Sequence, residues 1–251
     1  MNGKKASVCS DMILIRGLFR GKYHWGIFPD VLQSRFPHKN IILADIAGCG
    51  ERSAERSPNT IEGMVESIRA RLKPAGKIDI ISISMGGMIA LKWAELYPEE
   101  VGHLVCINTS TKEFTPFYQR LLPKNYLKII RALFSKPATR EALIYSMISN
   151  QPLNTDIVKH WTLLNHRYPM QRMNFVRQLT ASLTFSGKQP DCRLLFISSL
   201  KDRLVSYKAT QAMAMHWQAD FISNPDDGHD IPLDNPIWLC EQLARWLSEC
   251  E

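Results

Sequence analysis

Residues 78 to 84 read IDIISIS, a short apolar run rich in isoleucine, and residues 85 to 97, MGGMIALKWAELY, take up helical spacing of apolar positions at once. A run this short and this apolar fits a strand buried on both faces, which is the situation in a parallel sheet covered by helices. The same rhythm recurs in MILIR (12–16), NIILAD (40–45) and HLVCINT (103–109), separated by the helix-period segments WGIFPDVLQSRF (25–36) and TIEGMVESIRARL (60–72). Thr60 with Glu62 and Gly63 reads as a helix start, and Pro74-Ala75-Gly76 as a stop before the next strand. The prediction is an α/β fold, a mostly parallel sheet with helices on both faces.

The rhythm lapses after Ser110. Residues 112–190 contain helical pieces broken by Pro116, Pro123, Pro137, Pro152 and Pro169, with no convincing strand; RLLFISS (193–199) and DFISN (220–224) then restore the pattern, and an amphipathic helix over 236–250 closes the chain. The expected organisation is a core of residues 1–111 and 191–251 with an all-helical insertion, 112–190. That insertion carries twelve Lys or Arg against three acidic residues, a net of +9, so the rest of a chain whose formal charge is +7 carries −2. Six cysteines, Cys9, Cys49, Cys106, Cys192, Cys240 and Cys250, show no metal-binding spacing and read as reduced thiols of a cytoplasmic protein. Asp11 interrupts the first apolar run, which reads as a strand and not a signal peptide, and no run reaches the roughly 18 to 20 apolar residues of a spanning helix.

Ser84 stands at the corner where strand gives way to helix. A hydroxyl there is either a turn serine or a nucleophile, and the second use needs small neighbours on both sides of a sharp turn: Gly86 supplies one, while Ser82 stands where glycine is usual. The N–H of Met85, at the helix start, is the natural first donor to an oxyanion. A nucleophilic serine needs a base and an orienting carboxylate. His229, in NPDDGHDIPLDNP after the last predicted strand, is the candidate base; His24, His38, His103, His160, His166 and His216 lack such a placement. Asp202, just after the strand RLLFISS, is the candidate acid, since active groups in open α/β sheets gather beyond the strands' carboxyl ends. Asp45, at another strand end, competes with it, whereas Asp226, Asp227, Asp230 and Asp234 read as loop solvation and caps.

Four segments in order, IILADIAGCGERS, IDIISISMGGMIALKWAELYPEEVGHLVCINTS, LFISSLKDRLVS and DDGHDIPLDNPIWLCEQLARWL, resemble the α/β-hydrolase superfamily, including its nucleophile–acid–base order. The resemblance implies that residues 112–190 form a lid or cap, that the usual preceding hairpin is absent or reduced, and that Arg16-Gly17 stands in place of a His-Gly pair. It points to Leu18 N–H as the second oxyanion donor, with Phe19 the nearby alternative. The implied activity is that of a capped, carboxylesterase-like serine hydrolase needing no metal or organic cofactor, with residues 112–190 choosing the substrate. Aromatic residues Phe114, Phe117, Tyr118, Phe134, Tyr145, Trp161 and Phe175 either line an acyl pocket or pack the cap. Cations Lys128, Arg131, Lys136, Arg140, Arg172 and Arg177 either form a solvated face or receive an anionic acyl group or an acidic carrier bearing an ester or thioester. A peptidase, carbon–carbon hydrolase or lyase reaction on this fold, or a ligand sensor, are the alternatives; nothing resembles a nucleic-acid-binding motif.

Overall fold

The computed structural model describes residues 11–169 and 171–248; the first ten residues, with Cys9, and Cys250 lie outside them. Six strands, β1 (Asp11–Ile15), β2 (Asn40–Ala44), β3 (Ile78–Ile83), β4 (Val101–Ile107), β5 (Arg193–Ser199) and β6 (Asp220–Asn224), form one sheet in the order β2-β1-β3-β4-β5-β6. Every pairing among the described residues is parallel. The chain runs outward from β1 to β2 and then returns to pair β3 on the other side of β1, which opens a crevice at the carboxyl ends of β1 and β3. Ile15, Ser82, Cys106 and Phe196 are aligned in one row, so the turns after β1, β3, β4 and β5 leave the sheet side by side.

Alternation along the strands divides the core into two layers. Ile13, Ile80, Leu104 and Phe196 face α2 (Ile61–Leu72), α3 (Met85–Leu96) and a later helix over Tyr207–Trp217; Leu14, Ile81, Val105 and Ile197 face α1 (Phe28–Arg35) and a closing helix over Pro236–Ser248. Every residue of β3 is buried, Asp79 and Ser82 included, as befits a central strand covered on both faces. Thr60 caps α2, its Oγ1 accepting from Gly63 N–H at 3.1 Å. Four strands end one or two residues earlier than their runs suggest, and for β3 and β4 the reason is local. Ser84 (φ 57°) and Asn108 (φ 47°) turn into the left-handed region, so β3 stops at Ile83 and β4 at Ile107.

Between β4 and β5 the described residues hold helices and no strand: α4 (Phe117–Arg120), α5 (Tyr126–Phe134), α6 (Pro137–Ile148), α7 (Thr155–Arg167) and α8 (Arg172–Thr184). Pro137 opens α6 at a position where no helical N–H is required, and Asn154 Oδ1 caps α7 by accepting from Asp156 and Ile157 N–H. Tyr145, Met147, Ile148 and Trp161 make a small core of their own. The remaining helices are α9 (Tyr207–Trp217), α10 (Ile231–Asp234) and α11 (Pro236–Ser248). No described helix is long and apolar enough to cross a membrane.

Candidate active site

Ser84 occupies the corner between β3 and α3 at φ 57°, ψ −124°, a conformation that costs a non-glycine residue about 1–3 kcal/mol and persists only where neighbours impose it. They do so here on both sides. Ser84 N–H donates to Ile107 O at 2.8 Å, and Ser84 O accepts from Thr109 Oγ1 at 2.8 Å and from Gly87 N–H at 2.9 Å. The corner is tight enough to exclude side chains around it. A Cβ on Gly86 would stand 2.3 Å from Ile15 O, and one on Gly17 would stand 2.8 Å from Ser84 Cβ. Ser82, expected to crowd the turn, instead sends its fully buried hydroxyl sideways to Val105 O (2.7 Å) on β4, away from Ser84.

His229 and Asp202 meet although 27 residues separate them: His229 Nδ1 lies 2.7 Å from Asp202 Oδ2, with both side chains nearly inaccessible. With the proton on Nδ1, the carboxylate fixes the ring and leaves Nε2 as the basic nitrogen. The other oxygen of Asp202 accepts from Leu204 and Val205 N–H (2.7 and 3.0 Å), which ties the carboxylate to its own turn. Asn108, which sequence reasoning passed over, braces the histidine loop: its Nδ2 donates to His229 O at 2.8 Å and its Oδ1 accepts from Ser199 N–H at 2.8 Å. Ser199 Oγ in turn donates to Gly228 O at 2.6 Å. The one available signal for Asn108 was an asparagine at a strand end, a residue type that tolerates positive φ.

The competing acids have other duties. Asp45 accepts from Lys22 and Glu51 N–H (2.6 and 2.9 Å), under Gly21 and Gly50, and holds that loop; burial draws its pKa upward against those bonds. The reading of the acids beside His229 as loop solvation and caps fails for two of them, Asp230 and Asp227. Asp230 is 2% exposed and forms a two-pronged ion pair with Arg16, one arm being Arg16 Nη1 to Oδ1 at 3.0 Å. Asp227 is buried against Asn224 Nδ2, whereas Asp234 caps loop backbone as expected, accepting from Gly228 and Asn150 N–H. Asp226, paired with Lys201 at the surface, fits the expectation of a solvated loop acid.

Arg16, standing where a histidine was expected, therefore locks the loop after β1 to the histidine loop, and its guanidinium lies 4.7 Å over the Trp25 ring. Of the two backbone donors expected in that loop, Phe19 N–H is already committed to Gln178 Oε1 at 3.0 Å. Leu18 stays at the cavity wall with Ser84, and Met85 is the first residue of α3, a position whose N–H has no partner within the helix. Gln178, fully buried on α8, also donates to Ser57 Oγ at 2.9 Å, and its neighbour Asn174 accepts from Ser57 N–H at 3.0 Å.

Ser84 and His229 line one cavity of about 130 Å³, walled by Leu18 and Phe19 from the core and Leu133, Ile144, Met147 and Phe175 from the helical insertion. Of the insertion's expected aromatic lining, Phe175 alone reaches this wall; Tyr145 and Trp161 pack inside the insertion, Phe114 packs on Trp217, and Phe117, Tyr118 and Phe134 are exposed. Of the six cations singled out there, Arg140 alone lines the cavity, while Lys128, Arg131, Lys136 and Arg172 are exposed. Cys49, Cys106, Cys192 and Cys240 are free thiols, and among the described residues no group of three His, Cys, Asp or Glu stands together as a metal site.

Residues 12–236 match a family model described as the alpha/beta hydrolase fold. A stretch of 102 residues, 40% of this chain, is 31% identical to the biotin biosynthesis bifunctional protein BioHC of Teredinibacter turnerae, and 148 residues, 58% of the chain, are 27% identical to 2-hydroxy-6-oxononadienedioate/2-hydroxy-6-oxononatrienedioate hydrolase 1 of Pseudomonas putida. The matches span only 17% and 48% of those relatives' own lengths. Among solved structures, an esterase from Thermogutta terrifontis superposes with a TM-score of 0.70 over 96% of this chain and 90% of its own, at 18% identity, a likeness of fold.

Proposed function

This chain belongs to the alpha/beta hydrolase family, and from that premise we propose that it is a serine hydrolase cleaving a carboxylic ester or thioester through an acyl-enzyme on Ser84. One observation carries the reading: a serine in a strained strand-to-helix corner and a histidine paired with a buried aspartate open on the same apolar cavity. In the proposed reaction His229 takes the Ser84 proton as Oγ bonds to the acyl carbon. Oxyanion charge is held by the N–H groups of Leu18 and Met85. His229 then passes the proton to the departing alcohol or thiol as the ester bond breaks, and a water activated by the same imidazole releases the acid. Asp202 stays ionised throughout and stabilises the imidazolium.

A fluorophosphonate probe tests the nucleophile. Wild type is expected to be labelled and Ser84→Ala to remain unlabelled; equal labelling of both overturns the assignment.

In the same reading residues 112–190 are a cap whose outer face receives the substrate's carrier. Lys128 and Arg131 on α5 are exposed beside Leu127, Ile130 and Phe134, an apolar and basic surface suited to an acidic carrier protein. Turnover of a carrier-linked ester should fall steeply as salt rises from about 50 to 500 mM, because surface pairs are screened over a few ångströms to ten. Salt-independent rates, or no preference for the carrier-linked over the free ester, count against the carrier. Hydrolysis of a carbon–carbon bond is the second reading, favoured by the likeness to the Pseudomonas putida hydrolase; the probe result is common to both, and release of alcohol from simple esters favours the first.

A further inference from the structure

The cavity holding Ser84 and His229 is apolar along most of its wall, yet three arginines line it, Arg16, Arg20 and Arg140. Arg16 is neutralised by Asp230 on the same wall. The other two are not matched one for one. Arg20, 7% exposed, gives Nη1 to Glu141 Oε2 at 2.7 Å and lies 4.3 Å over the Trp161 ring. Its Nη2 is buried with no hydrogen-bond partner among the described residues. Arg140 meets neutral acceptors only: Nε to Ala132 O at 3.1 Å, Nη2 to Ser135 O at 3.1 Å and Nη1 to Asn165 Oδ1 at 3.3 Å. Those bonds engage three of the five N–H groups of a guanidinium. Burial draws the Arg140 pKa below its ordinary value, with Glu141 opposing that shift less strongly. Arginine does not lose its proton at neutral pH, so two buried or half-buried cations share one carboxylate, Glu141, and one positive charge at the wall is unmatched.

From these contacts we propose that Arg20 and Arg140 form an anion-binding end of the cavity, and that the substrate's acyl chain ends in a carboxylate remote from the scissile carbonyl. The inference rests on Ser84 being the nucleophile, because Ser84 marks where the carbonyl lies. The helix α6 sets the spacing. Ile148 O, at its carboxyl end, accepts from Asp230 N–H next to His229, and Arg140 lies eight residues earlier, about 12 Å along the axis at 1.5 Å per residue. Ile144 and Met147 line the wall between them. An acyl chain bound this way runs along an apolar flank and delivers its carboxylate to the unpartnered Arg20 Nη2 and the spare N–H groups of Arg140. A planar monoanion suits this end, since it matches one net charge and can accept two parallel N–H bonds.

The test uses Ser84→Ala protein, which binds esters without turnover, and titrates by calorimetry monomethyl sebacate, anionic at one end and long enough to span the α6 spacing, against dimethyl sebacate, its neutral counterpart. The anionic ester is expected to bind roughly tenfold tighter or more, as hydrogen bonds to charged groups imply. The ratio should collapse when Arg140→Gln is added and persist when the exposed Lys136→Gln is added instead. Equal binding of the two esters, or a preference that survives Arg140→Gln, overturns the proposal. Should Arg140→Gln fail to fold, by circular dichroism, the paired change Arg20→Gln with Glu141→Gln reads the same ratio. A preference for the anionic ester in Ser84→Ala protein, together with a wild type that fluorophosphonate does not label, would overturn the hydrolase reading alone; labelling of wild type without the preference would overturn this one alone.

Discussion

Gly17 has no side chain, and the space where one would stand is taken by Ser84 Cβ at 2.8 Å. Gly17→Ala should push the loop after β1 away from Ser84 and slow fluorophosphonate labelling by ~100-fold, the scale of a roughly 1 Å misplacement. Gly76→Ala, where an added Cβ meets nothing within 4 Å, serves as the comparison and should label at the wild-type rate. Asp202→Asn keeps an oxygen for Leu204 and Val205 N–H but no longer stabilises an imidazolium. Its kcat on p-nitrophenyl acetate should fall by about 10⁴ with little change in the thermal midpoint. A fall of less than tenfold would remove Asp202 from the proposed mechanism.

At the scale of elements, α8 and the loop after β1 are joined through one side chain. Gln178 Oε1 accepts from Phe19 N–H and its Nε2 donates to Ser57 Oγ, so the helical insertion and the loop carrying Leu18 share a fixed relation. Gln178→Leu leaves Phe19 N–H and Ser57 Oγ without those partners, at a cost of about 1–3 kcal/mol in stability. The more telling change is kinetic: kcat should fall roughly tenfold while KM moves little, because the interaction acts on the loop and not on the bound acyl chain. Gln178→Glu, which keeps an acceptor for Phe19, should recover part of kcat. A rise in KM alone would make Gln178 a wall of the cavity instead of a brace for the loop.

Across the whole molecule, buried charge makes stability depend on pH. His24 is held well below its ordinary value, first by burial and then by the positive charges of Arg20 and Arg16. Below about pH 6.5 the unfolded chain takes up a proton at this position that the folded chain refuses, so the unfolded state gains and stability falls with pH until the folded pKa is reached. Urea midpoints should therefore drop between pH 7.5 and 5.5, and His24→Gln should flatten that slope; an unchanged slope would rule His24 out as its source.

The sequence by itself determined the layered sheet, because apolar period and β-branched runs are local properties, and the position of Ser84, because a strand changing to a helix around Gly86 is written in consecutive residues. It also pointed to Asp202 and His229 as strand-end residues. Their 2.7 Å approach depended on the parallel register that brings the ends of β5 and β6 side by side. The pairing of Arg16 with Asp230, the bracing by Asn108 and Gln178, and the arrival of Arg20 and Arg140 at one cavity were decided only by the tertiary structure. These contacts join residues about 90 to 214 positions apart, or a core loop to an inserted helix. A polar side chain's partner is set by which backbone and charge it meets on burial, and no local pattern in the chain encodes that meeting.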